Sequence, residues 1–70
     1  MEEERELGSP LAVAAFEAVR ALVWQTARDR PVFADDLAEE LEKAAEDVSP
    51  GAAEMLRTLA ATARMAKQHR

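Results

Sequence analysis

Residues 30–59 of the chain read RPVFADDLAEELEKAAEDVSPGAAEMLRTL, and the prolines in this stretch decide how the chain is divided into helices. A residue that precedes proline is disfavoured in the α region, because the proline ring clashes with its backbone. Arg30 precedes Pro31. A first helix is therefore expected to end near Asp29.

Two Ser-Pro pairs are typical of helix starts. At Ser49-Pro50 the serine side chain can accept hydrogen bonds from the free amides of the next turn, and the missing N–H of proline costs nothing at the first helical position. Ser9-Pro10 repeats this arrangement near the beginning of the chain. These signals predict three helices, over residues 10–29, 33–47 and 50–68.

No strand pattern competes with these helices. The sequence contains no Asn-Gly or Asp-Gly turn and no period-two alternation of any length. We therefore predict an all-α fold, either a small three-helix antiparallel bundle or a helical hairpin plus a helix. Residues 1–8 are predicted to form an acidic flexible arm, and residues 9–70 a single helical domain.

The chain of 70 residues has few large apolar side chains with which to build a core. Hydrophobic residues make up 49% of it, but sixteen of them are alanine, and there is no cysteine for a disulfide. A chain this short buries only about 60% of the surface that its unfolded form exposes, and small domains often depend on partner chains. We therefore expect self-association to complete the core, with a dimer favoured.

The helical period of 3.6 residues assigns the apolar faces. In the second helix one stripe is apolar and the other positions are mainly acidic; the stripe consists of Phe33, Leu37, Leu41, Ala44 and Val48. In the first helix the apolar arc is too wide for one packing face, and it continues toward Trp24. The first helix therefore has apolar surface to spare for a second contact.

Trp24 lies on the side of the first helix that also carries charged residues. Tryptophan and arginine are enriched among binding hot spots. This side is therefore predicted to be a partner or self-association interface, formed by Val13, Phe16, Arg20, Val23, Trp24, Ala27 and Arg28. Two alternatives stay open: Arg20 and Arg28 stack on the indole within one monomer, or the first helix is sandwiched between the other two.

Charge is segregated along the chain. Residues 33–54 carry eight acids and one lysine, whereas the rest of the chain after them carries four basic residues and no acid. In an antiparallel hairpin this brings Arg64 and Lys67 near Asp35 and Asp36, an arrangement that charge pairing alone explains. The functional interpretation is an acidic face that docks onto a basic partner protein. That face consists of Asp35, Glu39, Glu42 and Glu46.

The sequence offers few parts for catalysis, which needs a base, a nucleophile or a metal in a water-poor pocket. There is no cysteine or tyrosine, and the one histidine, His69, is the penultimate residue. No Glu-x-x-His pair is present for a metal site inside a bundle, and the two glycines do not form a phosphate-binding loop. We therefore predict no enzymatic activity, no catalytic residue, no metal and no cofactor.

No membrane attachment or export is expected. The longest uninterrupted apolar run, from Leu11 to Phe16, is far shorter than the roughly twenty residues that span a bilayer. The acidic opening at residues 2–6 lacks the positive start of a secretory signal. These features predict a soluble, cytoplasmic protein.

The formal net charge of −5 argues against binding nucleic acid by overall attraction. The sequence favours a small acidic, non-enzymatic protein that binds a partner protein as a regulator, adaptor or inhibitor. One alternative is an accessory subunit of a larger enzyme. The other is a small DNA-binding transcriptional regulator that uses the basic end of the third helix, with contacts from Arg57, Arg64, Lys67 and Arg70.

Overall fold

The computed structural model describes residues 10–69, and within this range the chain is almost entirely helical. The elements are α1, Pro10–Asp29; a short 3-10 turn, Pro31–Phe33; α2, Ala34–Ala45; and α3, Pro50–Gln68. The prediction of an all-α fold with three helices packed together is confirmed. The predicted arm at residues 1–8 and the Ser9 cap lie outside the described residues.

The residues that precede Pro31 and Pro50 mark the helix boundaries that the sequence predicts. Arg30 adopts φ −131° and ψ 72°, outside the α region, and its N–H makes the last bond of α1, to the carbonyl of Thr26 at 2.9 Å. At the other boundary, the Oγ of Ser49 accepts a hydrogen bond from the amide of Ala52 at 3.5 Å. α1 and α3 therefore have the predicted bounds.

α2 is shorter than the predicted 33–47. Phe33 belongs to the preceding 3-10 turn. At the other end, the amides of Glu46 and Asp47 bond to the carbonyls of Lys43 and Ala44, at 3.1 and 3.2 Å. These are bonds to the third residue back, so the backbone tightens into a turn and the helix ends two residues early.

α3 is the central helix, because it packs against α2 on one side and α1 on the other, while α1 and α2 contact each other only slightly. Lys67 near the end of α3 pairs with Asp35 at the start of α2, so these two helices run in opposite directions. Trp24 in the last part of α1 lies beside His69 at the end of α3, so α1 and α3 run in the same direction. The sandwiched helix is therefore α3 and not α1.

The three helices form a slab and not a cylinder. The Cα trace measures 45 × 23 × 11 Å. Helix axes pack 8–10 Å apart, so a width of about 23 Å fits three helices side by side. The radius of gyration is 13.4 Å, against about 11 Å for a compact chain of this length. A slab of this kind leaves apolar surface that a second layer would cover.

Alanine fills most of the core. Apart from alanine, Val23 and Leu59 are the only buried apolar residues between positions 10 and 69, and none of the larger side chains in this range is fully buried. The buried alanines are Ala27, Ala34, Ala38, Ala45, Ala53, Ala60, Ala63 and Ala66. Small side chains at these positions let the helices approach closely, because interaxial distance depends on the residues at the contact.

The packing face of α2 differs from the predicted stripe. Ala34, Ala38 and Ala45 are buried, and Leu37 and Leu41 are half-buried against the core. The other members of the predicted stripe are exposed: Phe33, Ala44 and Val48. α2 packs on α3 through its alanines because they fit against the alanine-rich side of α3. A phenylalanine at this contact would increase the distance between the two helices.

We predict that enlarging one core alanine separates the helices. Ala63 is completely buried, so Ala63→Leu is expected to lower the free energy of unfolding by about 1–3 kcal/mol through overpacking. Ala61→Leu is the matched control, because Ala61 is exposed on the same helix and should change stability by no more than about 0.5 kcal/mol. Urea denaturation followed by circular dichroism measures both, and equal stabilities would contradict close packing at residue 63.

Candidate protein-interaction surface

The structure turns most of the predicted Trp24 interface toward the inside of the chain. Val23 and Ala27 are buried in the core cluster, and Phe16 and Trp24 are half-buried against it. These four side chains therefore contact α3 and the core before any partner. Of the other members, Val13, Arg20 and Arg28 are exposed.

Trp24 makes its described contacts within its own chain. Its ring lies 5.5 Å from the ring of His69, centroid to centroid, with a tilt of 44°. Arg20 donates from Nε and Nη2 to Oε1 of Glu17, at 3.0 and 2.6 Å, one turn back on α1. Trp24 therefore packs at one end of the contact between α1 and α3. Arg20 forms an ion pair with Glu17 on its own helix.

The free apolar surface of α1 lies on another side of the helix. Leu11 is 80% exposed and Leu22 is 67% exposed, and Ala15 and Ala18 lie between them on the same side and are also exposed. We call these four residues the α1 stripe. Positions 11, 15, 18 and 22 lie on one helical face, because residues three or four apart on a helix are neighbours. No charged residue lies on this face between the two leucines.

An open apolar groove runs along the α1 stripe, between α1 and the first half of α3. It has a volume of about 410 Å³. Every lining residue is apolar: Ala15, Phe16, Val19, Ala52, Met55, Leu56 and Leu59. We call this the α1–α3 groove. It can hold an apolar side chain, and none of its lining side chains can transfer a proton.

The periodicity of α1 does not separate the exposed α1 stripe from the packing face, because the wide apolar arc contains both. A signal for the true packing face was present. Phe16, Val23 and Ala27 follow spacings of seven and four, which is the pattern of a helix–helix seam. The small side chain of Ala27 suits the alanine-rich α3, whereas the leucines of the stripe do not.

Two ion pairs join α2 and α3. Arg64 donates from Nη1 to Oε2 of Glu42 at 2.5 Å and from Nη2 to Oε1 at 3.2 Å, a two-pronged contact. Lys67 Nζ donates to Oδ2 of Asp35 at 2.7 Å. The expected proximity of Lys67 to Asp35 is therefore present. The charge of Arg64 also acts on Asp35, and its ion pair is with Glu42, six residues after Asp36.

These contacts stabilise the charged forms of both carboxyl groups. The hydrogen bond from Lys67, aided by its charge, lowers the pKa of Asp35. The hydrogen bond from Arg64 lowers the pKa of Glu42, and the same bond raises the pKa of Arg64. Both pairs are well exposed to solvent, so screening keeps their contribution to stability small.

The predicted acidic docking face is only partly available. Asp35 and Glu42 are engaged by α3, whereas Glu39 and Glu46 are exposed and form no ion pair with another described residue. The predicted nucleic-acid contacts are divided in the same way: Arg64 and Lys67 face the acids of α2, Arg57 is exposed, and Arg70 lies outside the described residues.

Within residues 10–69, no group of three or more metal-ligating side chains comes together. None of the three helices is long and apolar enough to cross a bilayer. The surface features that remain for a function are therefore the α1 stripe, the α1–α3 groove and the charged edge of α2.

We predict that the pair between Glu42 and Arg64 makes stability depend on pH. A carboxyl whose pKa is lowered on folding stabilises the protein above its ordinary value, 4.5 for Glu42, and this contribution is lost as the pH falls through the lowered pKa. Glu42→Gln should therefore be less stable than wild type near pH 6, and the difference should shrink toward pH 3.

Urea denaturation at a series of pH values measures this difference. Glu40→Gln is the matched control for the loss of one negative charge, because Glu40 is exposed on α2 and no ion pair is described for it. A gap between wild type and Glu42→Gln that stays constant from pH 6 to pH 3 would contradict the proposed role of the pair.

Comparison with known proteins identifies no relative of this chain. No protein-family profile matches it, and neither a curated protein nor a solved structure matches it significantly. The surface of the described residues combines an exposed apolar stripe, an apolar groove and an acidic helix.

Proposed function

We propose that this chain is a non-enzymatic protein that acts by binding another protein chain, in a regulatory, adaptor or inhibitory role. The observation that carries the proposal is the apolar surface formed by the α1 stripe and the α1–α3 groove. The largest apolar patch on a typical monomer covers about 300–600 Å² and is often a functional site. The leucines at both ends of the stripe and the groove beside it form one continuous apolar surface.

The chemistry of the groove supports binding over catalysis. Its seven lining residues are apolar, so it contains no acid, base or nucleophile. An apolar groove without such groups gains its binding energy from removing apolar surface from water. A partner would therefore insert apolar side chains, such as those on one face of an amphipathic helix.

Charge supports a partner that also carries a basic surface. The chain has a net charge of −5, and several acids of α2 and the turn after it remain outside the described ion pairs: Asp36, Glu39, Glu40, Glu46 and Asp47. Complementary charge speeds the approach of a partner and orients it, while the buried apolar contact sets how long it stays bound.

The alternative of DNA binding has less support. Phosphate binding is driven by lysine and arginine side chains that release counterions. Arg64 and Lys67 are instead occupied by Glu42 and Asp35. Duplex DNA would have to displace both carboxylates and approach an acidic protein.

We predict that a charge in the groove abolishes partner binding. Met55 lines the groove and is 46% exposed, so Met55→Glu places a carboxylate where a partner's apolar side chains would remove it from water. Met65→Glu is the matched control, because Met65 is 57% exposed on the same helix and does not line the groove. The wild type and both variants serve as baits in lysate of the source cells.

A captured protein counts as a partner only if its purified form binds the wild type and Met65→Glu equally and binds Met55→Glu at least about tenfold more weakly. Circular dichroism confirms that both variants remain helical. If no protein passes this comparison, or if Met55→Glu binds as well as the wild type, the groove is not the binding site.

A further inference from the structure

We propose that the apolar surface of α1 is covered by a second copy of the same chain, with the two α1 helices antiparallel. This inference rests on the proposed function and names the first protein that the surface binds. It concerns the α1 stripe, Leu11, Ala15, Ala18 and Leu22, together with the adjoining groove. Four features of the chain support it: spacing, symmetry, helix dipoles and area.

The spacing of the α1 stripe suits another helix. Its members are separated by four, three and four residues, which is the spacing of the apolar positions in a coiled-coil seam. The stripe spans about 16 Å along α1. Both leucines are largely exposed, so the stripe has no packing partner among the described residues and presents a seam to a helix outside the monomer.

The stripe is also symmetric about its centre. When two copies are placed antiparallel about a two-fold axis near residues 16 and 17, Leu11 of one chain meets Leu22 of the other, and Ala15 meets Ala18. The alanines allow the helix backbones to approach at the centre, and the leucines close both ends. A closed dimer requires such a self-complementary patch, since the same residues contribute from both sides.

The helix dipoles favour the antiparallel arrangement over the parallel one. Each α1 carries a partial positive charge at its beginning and a partial negative charge at its end. An antiparallel pair places opposite charges side by side, whereas a parallel pair places like charges together.

The exposed area is sufficient for such a dimer. From their exposed fractions, the stripe, Val19 and Met55 leave roughly 500 Å² of surface per chain, which is in the range of the largest patch on a typical monomer. Two copies therefore remove roughly 1,000 Å² from water, about the lower limit for a specific interface. The second copy also adds a second layer of helices to the slab that the three helices of one chain form.

The first test is the mass in solution, measured by sedimentation equilibrium over a wide range of concentrations. The wild type should approach twice the monomer mass of 7.7 kDa. Leu22→Glu should weaken the dimer at least about 100-fold, because two carboxylates would then face leucines. Val13→Glu should leave the dimer intact, since Val13 is 52% exposed on α1 but lies outside the stripe.

The second test is the orientation, for which the natural absence of cysteine is an advantage. The double variant Leu11→Cys/Leu22→Cys should form dimers linked by disulfides under mild oxidation, whereas each single variant should not. The two positions lie about 16 Å apart on one helix, too far for a disulfide within a chain. Non-reducing electrophoresis separates the products.

Three outcomes would overturn the inference. The first is a wild type that stays monomeric at every concentration. The second is a dimer that Val13→Glu disrupts and Leu22→Glu does not. The third is efficient cross-linking of the single cysteine variants, which indicates parallel helices. None of these outcomes decides the proposed function, because capture of a different protein by the Met55 and Met65 baits is a separate measurement.

Discussion

Close packing of alanine between α3 and its two neighbours is the constraint on which the structure depends. Ala60 and Ala63 of α3 are buried in one cluster with Ala27 of α1 and Ala38 of α2. Contacts made through side chains this small hold the helices close together and leave little room between them. The larger apolar side chains are therefore displaced to the edges of the contacts or onto the surface, where Leu11 remains.

The contacts of α3 with α2 and with α1 are consequently bordered by different kinds of side chain. On the α2 side, the pairs of Arg64 with Glu42 and of Lys67 with Asp35 bridge the helices across the alanines. On the α1 side, Trp24 and the ring of His69 close one end, and the other end opens into the apolar groove. Ion pairs thus bridge α2 and α3 on one side of the slab, and apolar surface remains exposed along α1 on the other side.

Features set by local backbone chemistry could be predicted from the sequence. The prolines and the Ser49 cap fix the bounds of α1 and α3, and an antiparallel hairpin brings Lys67 to Asp35. The orientation of α1 could not be predicted, because its apolar arc offers two faces and the choice depends on which one fits the alanines of α3. Sequence reasoning therefore placed Trp24 at an interface, and it did not identify the α1–α3 groove or the α1 stripe.

The alanine core also has a consequence for the entropy of folding. Burying a leucine or methionine restricts its rotamers and costs up to about 2 kcal/mol, whereas alanine has no rotamer freedom to lose. Most of the buried positions of this chain therefore become ordered without that cost. The hydrophobic gain from each buried alanine is small, but almost none of it is cancelled by lost side-chain entropy, so the cost of ordering is mainly that of the backbone.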